Sequence, residues 1–277
     1  MKKNKLAGNL SRLVLYIFPV ILIVSITLYA GMWPPFSVVE SNSMEHSGTF
    51  QFGTIETGST VIVKHPSGIS SITTYVQGRE TGFMNYGDYG NVILYVNYAG
   101  TLVIHRAMFY LQWNSDKPSI LGYTNQSWIT LTPYYVVIQN VGPSHRNLCI
   151  NISSFRGVSG FITMGDHNLI NSTLQRHMIL GNNNSLVYLA ADQNVLYMSN
   201  GTNYRPVNIS QVYGIAVGNL PLIGIYKLYI LGAEGQWHDY NLIPKNSNYY
   251  LAAFTIFLLG IPASIWIIGK KRKKSGS

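Results

Sequence analysis

Residues 91–96 read Asn-Val-Ile-Leu-Tyr-Val, a short run dominated by β-branched and aromatic side chains. Comparable runs occur at residues 60–63 (TVIV) and 134–138 (YYVVI). Gly-Asn and Asn-Gly pairs, which favour turns, punctuate the chain between such runs. Short runs of this composition, separated by turn residues, are typical of β-strands. The region around residues 91–96 is therefore predicted to fold as an all-β domain.

The composition of the chain narrows the possible classes of protein. Its 277 residues suffice for one large domain or two small ones. Only 10% of the residues are charged, against about 25% in ordinary soluble proteins. The single cysteine, Cys149, excludes a disulfide scaffold and a cysteine-based zinc site. The histidines show no metal-ligand spacing, and we expect neither a metal nor a cofactor.

The net charge of +9 is concentrated at the two ends of the chain. Nine of the 19 basic residues lie there: Lys2, Lys3, Lys5, Arg12, Lys270, Lys271, Arg272, Lys273 and Lys274. The span between these clusters holds equal numbers of acidic and basic residues and is neutral. Nucleic-acid binding requires a clustered basic face, so we expect no nucleic-acid partner.

Two uncharged segments, residues 13–33 and 249–269, are each 21 residues long and are predicted to be transmembrane helices. The basic clusters outside them place both termini in the cytoplasm, residues 1–12 as an N-terminal segment and 270–277 as a tail. Residues 34–248 then form a domain outside the cell membrane. The alternative for the first segment is a cleavable secretory signal, but its length and the lack of a small-x-small site favour an uncleaved anchor. The predicted fold class is an all-β ectodomain with one transmembrane helix at each end.

Three short segments contain residues that could carry chemistry. Residues 38–46 read VVESNSMEH, residues 102–106 read LVIHR, and residues 160–168 read GFITMGDHN. Taken singly, they look like a polar loop, a strand with a core histidine, and a turn. Taken together, they supply a serine, a histidine and an aspartate, which are the members of a nucleophile–base–acid triad.

In the same order, the three segments resemble the catalytic boxes of type I signal peptidases. The resemblance is to the archaeal and endoplasmic-reticulum branch, in which histidine stands where most bacterial members have lysine. The likeness covers roughly residues 38–233, and further strands of the family are matched by residues 55–63, 87–95 and 211–218. Residues at about 68–86 and 110–160 look like insertions.

The resemblance implies a membrane-anchored serine endopeptidase, a hydrolase that removes signal peptides from exported preproteins through an acyl-enzyme. It implies Ser43 as nucleophile, His105 as general base and acid, and Asp166 as the group that orients His105. The Ser41 hydroxyl and the backbone N–H of Ser43 would bind the oxyanion.

The resemblance also implies the substrate and the location. The family prefers small residues at positions −1 and −3 of the substrate, and we expect Val39 and Ile104 to line those pockets. The expected partners are preprotein signal peptides and the lipid bilayer, with action close to the Sec translocon. The catalytic domain would lie outside the cytoplasmic membrane.

The sequence also departs from the family pattern. His46 stands where the family usually has proline. The region that often carries a second acid holds Asn171 and Ser172, which leaves Asp166 as the only nearby carboxylate. Lys64 is a rival base, because bacterial relatives use a Ser–Lys pair, but it lies outside the box that carries the base.

Other readings of the chain remain open. One is a non-enzymatic two-span surface glycoprotein with a β-sandwich ectodomain, and a nearer one is an inactive signal-peptidase homologue. A self-cleaving peptidase of the repressor type is a third, although those proteins are soluble and use lysine. Six glycosylation sequons suit the glycoprotein, beginning at Asn125, Asn151, Asn171, Asn183, Asn200 and Asn208.

Overall fold

The computed structural model describes residues 17–181 and 183–274. In this part of the chain the strands are β1 (Phe36–Val38), β2 (Thr60–Lys64), β3 (Met84–Asn85), β4 (Asp88–Tyr89), β5 (Val92–Val96), β6 (Leu102–Asn114), β7 (Lys117–Ile120), β8 (Ile129–Leu131), β9 (Tyr135–Val141), β10 (Arg146–Asn151), β11 (Gly160–Met164), β12 (Gln175–Leu180), β13 (Asn183–Tyr188) and β14 (Val212–Leu220). The α-helices are α1 (residues 17–30), α2 (Tyr75–Thr81), α3 (Asp166–Asn171), α4 (Asp192–Val195), α5 (Ile223–Ala233) and α6 (Ser247–Lys274). The runs at residues 60–63, 91–96 and 134–138 fall in β2, β5 and β9.

A seven-stranded sheet forms the central part of the domain. Its order is β1-β2-β14-β5-β6-β11, and β7 pairs with the far end of β6. Every neighbouring pair in this sheet is antiparallel. The register sets Ile93 opposite His105 on β5 and β6, and Thr163 opposite Ala107 on β11 and β6.

A second sheet has the order β12-β13-β10-β9-β8 and is mixed, because β10 and β13 run parallel. The strands β3 and β4 form a small separate hairpin. The long strand β6 joins the two larger sheets through the core, since Met108, Phe109 and Leu111 pack in one cluster with residues of β9 and β10. Burying these apolar side chains fixes the inner half of β6, and with it the adjacent His105 and Arg106.

The segments expected to be insertions contain ordered elements. Residues 68–86 include α2 and β3, and residues 110–160 include β7 to β10. Helix α2 begins with a capping box, in which Thr74 and Gln77 each accept a hydrogen bond from the other's backbone N–H. Gly82 ends it in the left-handed conformation.

The predicted fold class, an all-β ectodomain with a transmembrane helix at each end, is wrong. Across residues 17–181 and 183–274, no helix has both the length and the apolar character needed to cross a membrane. The domain also combines a mixed sheet with several helices. The predicted cytoplasmic residues 1–12, the first four residues of the span predicted at 13–33 and the last three of the tail lie outside the described residues.

Candidate active site

A cleft of about 680 Å³ brings most of the predicted site residues together. Its lining includes Val39, Ser41, Ser43, Ile104 and His105. The first three lie in the segment between β1 and β2, and the last two lie on β6. Residues that are about 60 positions apart in the sequence therefore meet at one surface of the seven-stranded sheet.

The loop that carries Ser43 is held by backbone contacts. The backbone N–H of His167 donates to the carbonyl oxygen of Ser43 at 2.9 Å, which ties the loop to α3. Glu45 donates its N–H to the carbonyl of Asn42 at 3.1 Å and closes a turn around the serine. The side-chain oxygens of Ser41 and Ser43 are 3.2 Å apart, so the two hydroxyls form a hydrogen bond. Ser43 is partly exposed to the cleft.

Gly165 permits the close approach of the serine loop to His105. A methyl group at this position would lie 2.4 Å from the carbonyl oxygen of Ser43 and 2.9 Å from Nε2 of His105. Both distances are shorter than van der Waals contact allows. Only glycine therefore fits between the serine loop and the imidazole, and Nε2 of His105 faces the loop that carries the nucleophile.

The carboxylate that contacts His105 belongs to Asp192, at the first turn of α4. Nδ1 of His105 lies 2.6 Å from Oδ2 of Asp192, and both side chains are buried. A carboxylate in this position fixes the imidazole with a proton on Nδ1 and leaves Nε2 free to accept one. His105 and Asp192 thus form a buried imidazole–carboxylate pair beside the loop that carries Ser43.

Asp166, the acid that the sequence suggested, lies in a different cluster. Its two oxygens accept from Nε and Nη2 of Arg106 at 2.8 and 2.6 Å, and Oδ2 is also 3.0 Å from Nε2 of His46. Nη1 of Arg106 donates to four backbone carbonyls, those of Asn85, Asp88, Tyr89 and Gly90. The expectation that Asp166 orients His105 is therefore corrected: its carboxylate neutralises a buried arginine.

The pKa values of Asp166 and Arg106 agree with the role of Asp166 as the counter-charge of a buried arginine. Burial alone would raise the pKa of the Asp166 carboxyl, but the Arg106 guanidinium and its hydrogen bonds outweigh burial and lower that pKa to about 2. Arg106 is fully buried, and its attraction to Asp166 keeps the pKa of the guanidinium above the ordinary value despite desolvation. This ion pair stays charged over the whole physiological range.

The alternation of side chains along β6 explains the correction. His105 and Arg106 are neighbours on one strand, so their side chains point to opposite faces of the sheet. Asp166 follows β11 on the face of Arg106, whereas Asp192 lies on the face of His105. The hairpin of β12 and β13 separates the two aspartates in the sequence. The turn-forming residues that begin at Gly181 are the sequence feature that could have indicated a hairpin between Asp166 and Asp192.

Glu45, in the serine loop, and Lys64, at the end of β2, have unusual surroundings. Glu45 is buried and accepts from the N–H and hydroxyl of Thr57 at 3.3 and 2.8 Å. Burial raises the pKa of Glu45 to about 7, although these hydrogen bonds oppose the shift.

Lys64, the rival base, holds its ammonium group over the ring of Tyr29 at 4.6 Å from the centroid.

Within the described part of the chain, no group of three or more His, Cys, Asp or Glu side chains is placed to hold a metal ion. Comparison with protein-family models, curated proteins and solved structures finds no match to this chain.

Proposed function

We propose that this chain is a serine endopeptidase that cleaves signal peptides from exported preproteins at small-x-small sites. The observation that carries the proposal is the position of His105, which contacts Asp192 through Nδ1 and faces the Ser43 loop with Nε2. A serine hydroxyl is a poor nucleophile until a base takes its proton, and His105, held by Asp192 beside the Ser43 loop, is the base that we assign.

In the proposed reaction, Nε2 of His105 takes the proton of Ser43 as Oγ attacks the substrate carbonyl carbon. The positive charge that forms on the imidazole is stabilised by Asp192 through Nδ1. His105 then gives its proton to the leaving amine, which releases the new N-terminus and leaves the signal peptide as an acyl-enzyme on Ser43. Water, deprotonated by His105, hydrolyses that ester.

The oxyanion of each tetrahedral intermediate requires hydrogen-bond donors. The Ser41 hydroxyl lies 3.2 Å from the Ser43 hydroxyl, close enough to reach an oxygen on a carbon bonded to Ser43. With the backbone N–H of Ser43, it forms the proposed oxyanion site. Loss of one such donor typically costs about 100- to 1000-fold in kcat.

The walls of the cleft suit a chain with small side chains. Five apolar side chains contribute to its lining: Val39, Leu94, Val103, Ile104 and Leu196. We assign Val39 and Ile104 to the pockets for substrate positions −1 and −3. Because signal peptides are removed after export begins, the same proposal places the domain on the extracytoplasmic side.

Incubation of the full-length chain with a preprotein that bears a small-x-small site tests this function. Wild-type protein should cut at that site, and Ser43→Ala and His105→Ala should not. A matched substrate with a bulky residue at position −1 should remain uncut. An uncut small-x-small substrate, or equal cleavage by Ser43→Ala, would overturn the proposal.

A further inference from the structure

The carboxylate of Asp192 has contacts on one oxygen only. Oδ2 lies 2.6 Å from Nδ1 of His105 and accepts from the Tyr95 hydroxyl at 2.8 Å and the Thr163 hydroxyl at 2.7 Å. Oδ1 is buried and has no hydrogen-bond partner within residues 17–181 and 183–274. The charge that faces His105 is therefore shared with two neutral hydroxyl groups.

Sheet register places these groups together. On β5, Ile93 is the register partner of His105, and Tyr95 lies two residues after Ile93. On β6, Ala107 lies two residues after His105, and its register partner on β11 is Thr163. Side chains two residues apart on a strand share a face. Three neighbouring strands, β5, β6 and β11, thus direct Tyr95, His105 and Thr163 towards the same carboxylate.

Gln193 stabilises the orientation of Thr163. The Thr163 N–H donates to Oε1 of Gln193 at 3.0 Å, and Nε2 of Gln193 donates to the Thr163 hydroxyl at 3.0 Å. With Gln193 as its donor, the Thr163 hydroxyl directs its own proton to Asp192. The hydroxyl oxygens of Tyr95 and Thr163 are 3.1 Å apart, so the two donors form one buried network.

We propose that Tyr95 and Thr163 are positioning residues that act through Asp192 and hold its Oδ2 atom opposite Nδ1 of His105. The proposal deepens the proposed function, on which it rests for its consequence in catalysis. Each hydroxyl fixes Oδ2 in line with the imidazole.

The physical reason is that three contacts on one oxygen restrict the orientation of the carboxylate. Each hydroxyl donates to Oδ2 and holds that atom opposite Nδ1 of His105, and hydrogen bonds to an ionised carboxylate are short and strong. When one donor is removed, the carboxylate is free to rotate, because Oδ1 has no hydrogen-bond partner among the described residues. Its hydrogen bond to the imidazole then lengthens.

Other charged groups around His105 are distinct from this network. Glu40, Lys227 and Asp239 line the same cleft, and Lys227 pairs with Glu40 at 3.0 Å. Arg106 and Asp166 lie on the opposite face of the sheet.

Burial and the charge of Asp192 raise the pKa of Tyr95 well above its ordinary value, and Tyr204 adds to this effect. Tyr95 therefore remains a hydrogen-bond donor throughout the working range.

NMR of the proton between Nδ1 of His105 and Asp192 in the full-length chain tests the proposal, with the signal assigned by its loss in His105→Gln. Tyr95→Phe and Thr163→Val remove one hydroxyl each with little change of shape. Each should move this resonance upfield, because a longer hydrogen bond deshields its proton less. Thr163→Ser keeps the hydroxyl, and Tyr110→Phe removes one from the same apolar cluster, so both should keep the wild-type resonance.

The same variants have an activity readout. With a cleavable preprotein, kcat should fall in Tyr95→Phe and Thr163→Val with little change in KM, and Thr163→Ser should keep the wild-type kcat. An unchanged Nδ1-proton resonance in both Tyr95→Phe and Thr163→Val would overturn the positioning role, whatever their activity. A shifted resonance in a protein that cuts no preprotein would support the network and overturn the proposed function alone.

Discussion

Nδ1 of His105 lies 2.6 Å from Oδ2 of Asp192, although 87 positions separate the two residues in the chain. The next residue on the same strand, Arg106, binds Asp166 at 2.6 Å. Two neighbouring residues of β6 thus engage two different aspartates on opposite faces of the sheet. One pair is a buried contact between an imidazole and a carboxylate, and the other is a buried ion pair with a guanidinium, so the two aspartates should respond differently to the same substitution.

Asp192→Asn should abolish most of the proposed activity and leave the fold intact. An amide cannot stabilise the imidazolium and favours the wrong tautomer of His105, which typically costs about 10⁴-fold in kcat for a serine triad. Initial rates of preprotein cleavage measure the loss, and circular dichroism checks the fold. Turnover close to that of wild type would show that Asp192 does not support the base.

Asp166→Asn should instead reduce stability. The substitution leaves the guanidinium of Arg106 fully buried without a counter-charge, which typically costs about 3–5 kcal/mol. Equilibrium unfolding at pH 7 measures the change in free energy. Asp116→Asn is the matched control, because Asp116 pairs with Arg156 at the exposed surface and should cost less than about 1 kcal/mol. Equal stability of the two variants would contradict the role assigned to Asp166.

Glu45 should make the free energy of unfolding decrease as the pH rises through neutrality. Its pKa is raised from 4.5 to about 7 by burial, so the folded state binds a proton that the unfolded state releases. This contribution is complete below pH 4.5 and is lost as the pH rises through about 7.

Unfolding curves between pH 4 and pH 8 check the effect of Glu45, and Glu45→Gln should flatten the decline. Glu234→Gln, on the exposed surface, should keep the wild-type slope. An identical slope in Glu45→Gln would assign the decline to another group.

Gly165→Ala should separate the serine loop from His105. The added methyl group would overlap the Ser43 carbonyl oxygen at 2.4 Å and crowd Nε2 of His105, although the backbone at Gly165 suits any residue. A displacement of about 1 Å can cost 100-fold in rate. Gly48→Ala is the control, since nothing lies within 4 Å of its added methyl group. Comparable activity in the two variants would contradict the close approach.

Several features could be read from the sequence because they depend on local chemistry. Short β-branched runs form β2, β5 and β9, since such side chains suit a pleated surface. The spacing of turn residues could not indicate the parallel pairing of β10 with β13, which joins strands distant in the chain. The predicted terminal transmembrane helices rested on apolar length alone, and the described helices do not meet the combined requirement of length and apolarity.

The sequence suggested the serine and histidine segments only through their resemblance to the catalytic boxes of a known family, because taken singly they look like a polar loop and a strand with a core histidine. Only the tertiary structure decided which acid meets His105. Alternation along β6 sends His105 and Arg106 to opposite faces, and the hairpin of β12 and β13 carries the chain from Asp166 round to Asp192. The family resemblance favoured Asp166, but the opposite directions in which the side chains of His105 and Arg106 leave the sheet bring Asp192, not Asp166, to His105.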